Sequence, residues 1–436
     1  MSAPGIAERL VFIATLAVCF GAYLGGWMIT SGHILFTIGG LGLLLFRGPG
    51  NRVFRKPCQV RASAWCLLLI ALLNIGSMAL FLEDYDHPMK ELKKMRYMLL
   101  PLSILIISPI YGCFKKWGNN MVGAGVISLM NSIVLATVSG LVGYATGYNP
   151  LLFDEQPNPT RAGGVYGMVM TYAYSMQFSV LLLLGVVTAR NALSLFCNHR
   201  ERRWVLPWIW AVIIIGIVGL YFSFSRGAVL GLVVGGLVLL VSAKKWKILA
   251  GGIALGLVVL CVTLLGSSRF VVMEGDNELN FASRNERFSQ WRAASLTFLK
   301  HPVTGVGYRQ FEVKSLQLKE EFGLPKDFIE LGGEKPELVW RSSHAHNNLL
   351  EALVATGIFG GIAFLGFCWF WAKEVWNSDL GKALFFPGVV AFLVSGNFEN
   401  TFTDSEVLTM IMVLYVCSQL VLDWERRSET ELSGFT

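Results

Sequence analysis

Residues 204–242, WVLPWIWAVIIIGIVGLYFSFSRGAVLGLVVGGLVLLVS, are 39 positions with one charged side chain, Arg226. A helix of about 20 apolar residues crosses a bilayer. The run therefore reads as two spans joined at Phe222-Ser-Phe-Ser-Arg-Gly227. A cation at the membrane centre costs roughly 2.5–3.5 kcal/mol on insertion scales. The turn carries Arg226 to the far water boundary, where it faces headgroups or a polar ligand.

The remaining sequence has the same character. Of 436 residues, 54% are hydrophobic and 15% charged, and the mean hydropathy is +0.56. These values exclude an ordinary soluble domain and predict an all-α, polytopic helical membrane protein. Apolar runs at 10–28, 31–46, 62–82, 97–114, 121–145, 164–189, 204–222, 227–243, 248–266, 347–372, 383–398 and 406–422 give about twelve transmembrane helices. The first two and the eleventh are short or glycine-rich and also read as re-entrant segments. With the N-terminus cytoplasmic, 19 Lys and Arg fall inside, six lie in short outer loops and eleven in one long loop. That bias predicts both termini inside.

The net charge of +7 comes from short basic loops flanking spans and carries no nucleic-acid signal. Arg9 precedes the first apolar run without a cleavage site, which reads as a retained helix. The eight cysteines lie mostly in or beside apolar segments, with neither disulfide nor metal spacing.

Residues 267–345 stand apart, polar and balanced at eleven basic and eleven acidic side chains. A connection that long predicts a structured outer lobe. Glu286–Lys300 has apolar residues at helical spacing, and His301–Gly307 reads as a turn. The chain thus divides into nine helices (1–266), the lobe (267–345), and three helices with a short cytoplasmic tail (346–436). No internal repeat supports an inverted-repeat transporter.

Chemistry concentrates on the outer face. Arg341-Ser-Ser-His-Ala-His-Asn-Asn348 leads into the tenth span. Ser342 or Ser343 as helix cap would place His346 in the first turn, where the helix terminus disfavours imidazolium and leaves a proton acceptor. The alternative is an interfacial histidine that bonds loop backbone. His344 and His346, two apart, would point to different sides of a helix, so no metal site is expected.

Arg161, Arg226, Arg284 and Arg287 are outer-face guanidinium groups that match phosphate oxygens bidentately; lipid snorkelling is their alternative. Glu399 sits in Asn397-Phe-Glu-Asn-Thr-Phe-Thr-Asp-Ser-Glu406 and could orient a base or an arginine, or be a solvated loop charge. Glu351 is the main exception to nearly charge-free spans. No serine elbow, P-loop or dinucleotide fingerprint is present.

Taken in order, these residues resemble the O-antigen ligase family of the O-antigen ligase and polymerase superfamily. His346-Asn347, then Gly357 and Gly360, matches its His-Asn and spaced Gly-x-x-Gly pattern. Arg226-Gly-Ala-Val-Leu230 matches its Arg-x-x-x-Leu element. Arg287-Phe-Ser-Gln-Trp291 and His301-Pro-Val-Thr-Gly-Val-Gly-Tyr-Arg-Gln-Phe311 are similar to its loop motifs. Arg161-Ala-Gly-Gly resembles the opening of a middle span, although Tyr166-Gly-Met follows where many relatives have Asn-Pro. The resemblance covers roughly residues 160–400.

The resemblance implies a glycosyltransferase at the periplasmic face of a bacterial inner membrane. Its donor is a glycan on undecaprenyl pyrophosphate and its acceptor the lipid A–core oligosaccharide. Beyond these and membrane lipids, it leaves room for other lipopolysaccharide assembly proteins as partners. Polymerization of lipid-linked repeats and glycosylation of protein are the alternatives within the superfamily, and transport of a lipid-linked oligosaccharide is the alternative outside it.

On this reading His346 is the general base. Arg226 and Arg287 act in catalysis, and Arg161, Arg226, Arg284, Arg287, Tyr308 and Asn347 bind pyrophosphate or glycan. His344, Glu351 and Glu399 support them. Neither metal nor other cofactor is expected, and a single base implies inversion.

Overall fold

A computed structural model describes residues 3–46, 53–189, 192–195, 197, 202–245, 274–324, 327–329, 337–339 and 343–433. The first part of the chain forms α1 (Ala3–Leu24), α2 (Gly26–Phe46), α3 (Ala62–Leu80), the short charged α4 (Pro88–Lys94), α5 (Arg96–Ile106), α6 (Ser108–Thr146), α7 (Val169–Thr188), α8 (Arg202–Phe222) and α9 (Arg226–Ser242). After the helices of the lobe, α10 (Glu274–Lys300) and α11 (Gln310–Glu321), come α12 (Asn348–Trp376), α13 (Asp379–Leu384), α14 (Phe386–Ser395) and α15 (Ser405–Ser433). Two antiparallel strand pairs accompany them, β1 (Tyr148–Asn149) with β2 (Asp154–Glu155) and β3 (Asp327–Ile329) with β4 (Glu337–Val339).

Eight of the described helices are long and apolar enough to cross a membrane, and three more are apolar but shorter. The protein is a polytopic helical membrane protein. The expected span at 248–266 lies outside the described residues.

Three boundaries differ from the sequence reading. First, α1 and α2 are complete antiparallel helices and not re-entrant segments; Gly25, at φ +122°, turns the chain between them. A Cβ at Gly32 or Gly39 would press on Val18 or Val11, so these glycines allow the close approach.

Second, the expected span 97–114 is broken at Ile107. Its backbone is extended and bridges to Phe54, and α6 restarts with Pro109 in its first turn. At 39 residues, α6 is about 58 Å long and absorbs the expected fifth span.

Third, the eleventh span is interrupted at Phe385, leaving α13 and α14 as short pieces.

The centre of the bundle is α7, whose apolar window is 89% buried. Glycines on its two neighbours let them lie against it. A Cβ at Gly219 of α8 would overlap the Tyr172 hydroxyl, and one at Gly231 of α9 the Gln177 amide. Two polar side chains at this seam find partners there. Tyr172 bonds Thr137 at 2.7 Å, and Gln177 Nε2 donates to Ser395 Oγ at 2.8 Å.

The lobe has its own small core of Ala293, Ala294, Phe311, Leu318 and Leu324, completed by Ala345 and by Val354 of α12. Lys314 pairs with Asp84 at 2.7 Å and Arg309 with Glu91 at 3.1 Å, while Tyr85 Oη donates to the Tyr308 carbonyl at 2.7 Å. These contacts fix the lobe to the segment around α4.

Candidate active site

The glycine motif of α12 marks a joint between helix and lobe. Gly357 interrupts the helix at φ +69°, and its missing Cβ leaves room for the Val303 carbonyl. The turn Pro302–Gly307 docks there through backbone hydrogen bonds. Ile358 N donates to Pro302 O at 2.8 Å, Val306 N to Val354 O at 2.8 Å and Gly307 N to Ala355 O at 3.2 Å. The kink frees carbonyls of the helix, and the turn supplies their donors. Two motifs far apart in sequence are one structural device.

That device holds the histidine segment. Asn347, not a serine, caps α12; its Oδ1 accepts from Leu349 N and Leu350 N, each at 3.0 Å. His344-Ala345-His346 therefore precedes the helix, and the alternation of a non-helical segment applies in place of helical geometry. Ala345 is fully buried in the lobe core, and its N–H donates to the buried carboxylate of Glu351 at 2.9 Å. The flanking imidazoles face the other way, together. This overturns the expectation that they point to different sides, and it removes the helix terminus as the group that tunes His346.

Both rings meet Glu399. His344 Nε2 lies 2.5 Å and His346 Nδ1 3.0 Å from the same oxygen, Oε1, and the ring centroids are 4.2 Å apart. Burial alone would raise the Glu399 carboxyl, but hydrogen bonds from the two histidines outweigh it and hold it well below the ordinary range. An ionised carboxylate only accepts, so each nitrogen facing it carries the proton. His346 Nε2 is then the acceptor nitrogen when the ring is neutral. Ser343 Oγ occupies it at 3.1 Å. Burial would lower His344, yet the Glu399 hydrogen bond and charge raise it. His346 itself has φ +48°, a left-handed conformation that non-glycine residues adopt sparingly and that clusters at functional sites.

Arginines approach from the bundle side. Arg161 Nε donates to Ser223 O at 2.7 Å, and Ala162 N to Phe222 O at 2.9 Å, which ties the 161–162 segment to the turn before α9. Arg226 is the exposed first residue of α9, after Ser225. A Cβ at Gly227 would overlap the Tyr174 hydroxyl and crowd Phe398. Tyr174, on α7, hydrogen-bonds Ser225 and feels the charges of Glu399, Arg287 and Arg161. Tyr174 thus lies within electrostatic reach of Arg161 and Arg287 and of the carboxylate that the histidines share. Tyr174 is a residue that sequence reasoning missed, because within α7 it reads as one more apolar position.

The other expected residues are placed more loosely. Arg287 is half-buried on α10, and Arg284 lies on the same helix one turn earlier. Asn347 is engaged as a cap, and its amide nitrogen donates to Asn397 at 3.2 Å. Tyr308 is buried against Met78, Tyr85 and Met95; burial pushes its phenol up to about 12. It lines a small cavity with Arg309, Asn348, Glu351 and Asn400, beside the histidine segment. His344, His346 and Glu399 offer three ligand atoms within 4.8 Å, a set with the composition of a divalent-metal site. Here they are engaged with one another, both imidazoles on one oxygen of Glu399.

Residues 211–365 match the family model for O-antigen ligase, Wzy_C. No curated protein matches the chain. The matched stretch, about a third of the chain, holds the Arg226 turn, Arg287, the docking turn and the histidine segment, and over it the chain is similar to the O-antigen ligase family.

Proposed function

We propose that the protein transfers a glycan from undecaprenyl pyrophosphate to the lipid A–core oligosaccharide at the periplasmic face of the bacterial inner membrane. The observation that carries the reading is the chain Glu399, His346, Ser343. A carboxylate orients one imidazole nitrogen and a hydroxyl sits on the other. An acceptor sugar hydroxyl in the place of Ser343 Oγ would give its proton to Nε2 and attack the anomeric carbon. The carbon–oxygen bond to pyrophosphate breaks on the opposite side, with inversion.

Arg161, Arg226 and Arg287 neutralise the charge that develops on the departing pyrophosphate, each charge-assisted contact contributing about 1.5–3 kcal/mol. Glu399 and the buried Glu351 act at one remove. The first fixes the tautomer of His346, and the second anchors the backbone between the two histidines. A divalent ion is not required for any of these steps.

The test is incubation of purified protein with a labelled undecaprenyl-pyrophosphate glycan and either lipid A–core or a second lipid-linked repeat unit. Label is expected on lipid A–core. Label only on the second repeat unit would make the protein a polymerase, and label on neither acceptor would end the transferase reading.

A further inference from the structure

The Ser343 hydroxyl has no part in that transfer, yet it holds the position from which a proton would leave. Asn347 caps α12, so Ser343 is free of the capping task that its sequence position suggests. Its backbone N–H donates to Ser315 Oγ at 3.1 Å, and Ser315 is itself fully buried in α11. The lobe thereby fixes the residue, and its Oγ rests 3.1 Å from His346 Nε2 while Nδ1 of the same ring is held by Glu399. A hydroxyl on an imidazole that a third group orients is the arrangement that activates a serine nucleophile. The residue is partly exposed, on the same side as the histidines.

We infer that Ser343 is a glycosylation site of the protein itself, filled from the lipid-linked donor when no acceptor hydroxyl is present. The inference rests on His346 acting as the base. In the step, Ser343 Oγ passes its proton to His346 Nε2 and forms a bond to the anomeric carbon. The bond from that carbon to pyrophosphate breaks, and the undecaprenyl pyrophosphate leaves with the electron pair. His346 then loses the proton to water. The product is a serine O-glycoside, an acetal that water does not cleave at neutral pH. The modified chain carries its glycan on top of the base and is closed to acceptor. An acceptor hydroxyl competes for Nε2 and so protects Ser343.

The experiment uses the full-length protein in detergent with a polyprenyl-pyrophosphate-linked oligosaccharide and no acceptor, followed by peptide mass spectrometry. The expected result is a mass increase of one glycan on the peptide that contains residue 343. It should be lost in Ser343→Ala, retained in part in Ser343→Thr, and suppressed when acceptor is added first. Mapping in the unmodified sequence does not depend on either variant folding. Transfer to acceptor with an unlabelled Ser343, or label on a different residue, overturns the inference and leaves the base reading standing. Label on neither acceptor nor protein overturns both.

Discussion

Glu399 is the residue on which the candidate site turns, because one of its oxygens serves two imidazoles. Its depressed pKa and the raised pKa of His344 make the pair pH-dependent in a defined window. A carboxyl held low contributes stability above its unfolded value of about 4.3, lost as pH falls through the folded value. An imidazole held high contributes below about 6.5, lost as pH rises through the folded value. The two conditions overlap between about pH 4.3 and 6.5. Glu399→Gln should therefore lower the melting temperature most within that interval and much less at pH 9, as thermal unfolding in detergent would record. A uniform loss across pH would mean that Glu399 acts through packing alone.

Removing the base makes a different prediction. His346→Ala should lose transfer by about 10²-fold or more while still binding donor, the scale expected for a general base. His344→Ala should also be impaired, since it strips one of the two donors from Glu399. Full activity in both variants, measured as labelled product, would discard the base mechanism.

At the scale of elements, sequence order gave the motifs but not their meeting. The helix of the lobe at 286–300 and the turn at 301–307 were readable from apolar spacing and from glycine and proline. That the turn docks into a kink at Gly357 was not, because the hydrogen bonds join residues some fifty positions apart and only a positive φ reveals the break. Likewise the serine cap was an inference from residue type, whereas Asn347 took the position because the histidines run past the helix end in a non-helical segment.

Gly357→Ala tests the joint. Its left-handed backbone and the Val303 carbonyl both oppose a side chain, so a loss of about 1–3 kcal/mol in stability is expected. Transfer should fall with it, because the docked turn belongs to the same lobe core as Ala345. A stable, fully active variant, by melting and by turnover, would show the joint to be dispensable. Arg226→Lys, at the first residue of α9, keeps charge but loses the planar fork. About tenfold or more should be lost in transfer at matched expression, one strong contact's worth. Normal turnover would return Arg226 to a headgroup contact.

The whole molecule follows from hydropathy in its class and departs from it in detail. Continuous apolar runs were legible as spans because a bilayer demands length without charge. The split of α13 from α14 and the restart at Ser108 were not, since a single apolar residue between two helices leaves the run unbroken in sequence. Orientation rests on a different signal, the excess of Lys and Arg on one set of loops, 19 against six in short ones. It decides whether the histidine cluster and the lobe meet the periplasm, and so whether the proposed donor can reach them at all. On that orientation the exposed end of α10 and an exposed native cysteine on a basic loop should lie on opposite sides of the membrane. A cysteine placed at Lys300, which is exposed in the lobe, should react with an impermeant maleimide added to intact spheroplasts. Native Cys58, exposed and unpaired, should react only after the membrane is opened. The reverse pattern would put the lobe in the cytoplasm, where the base and its arginines would face a different pool of substrates, and the transfer proposed for them would have to be abandoned.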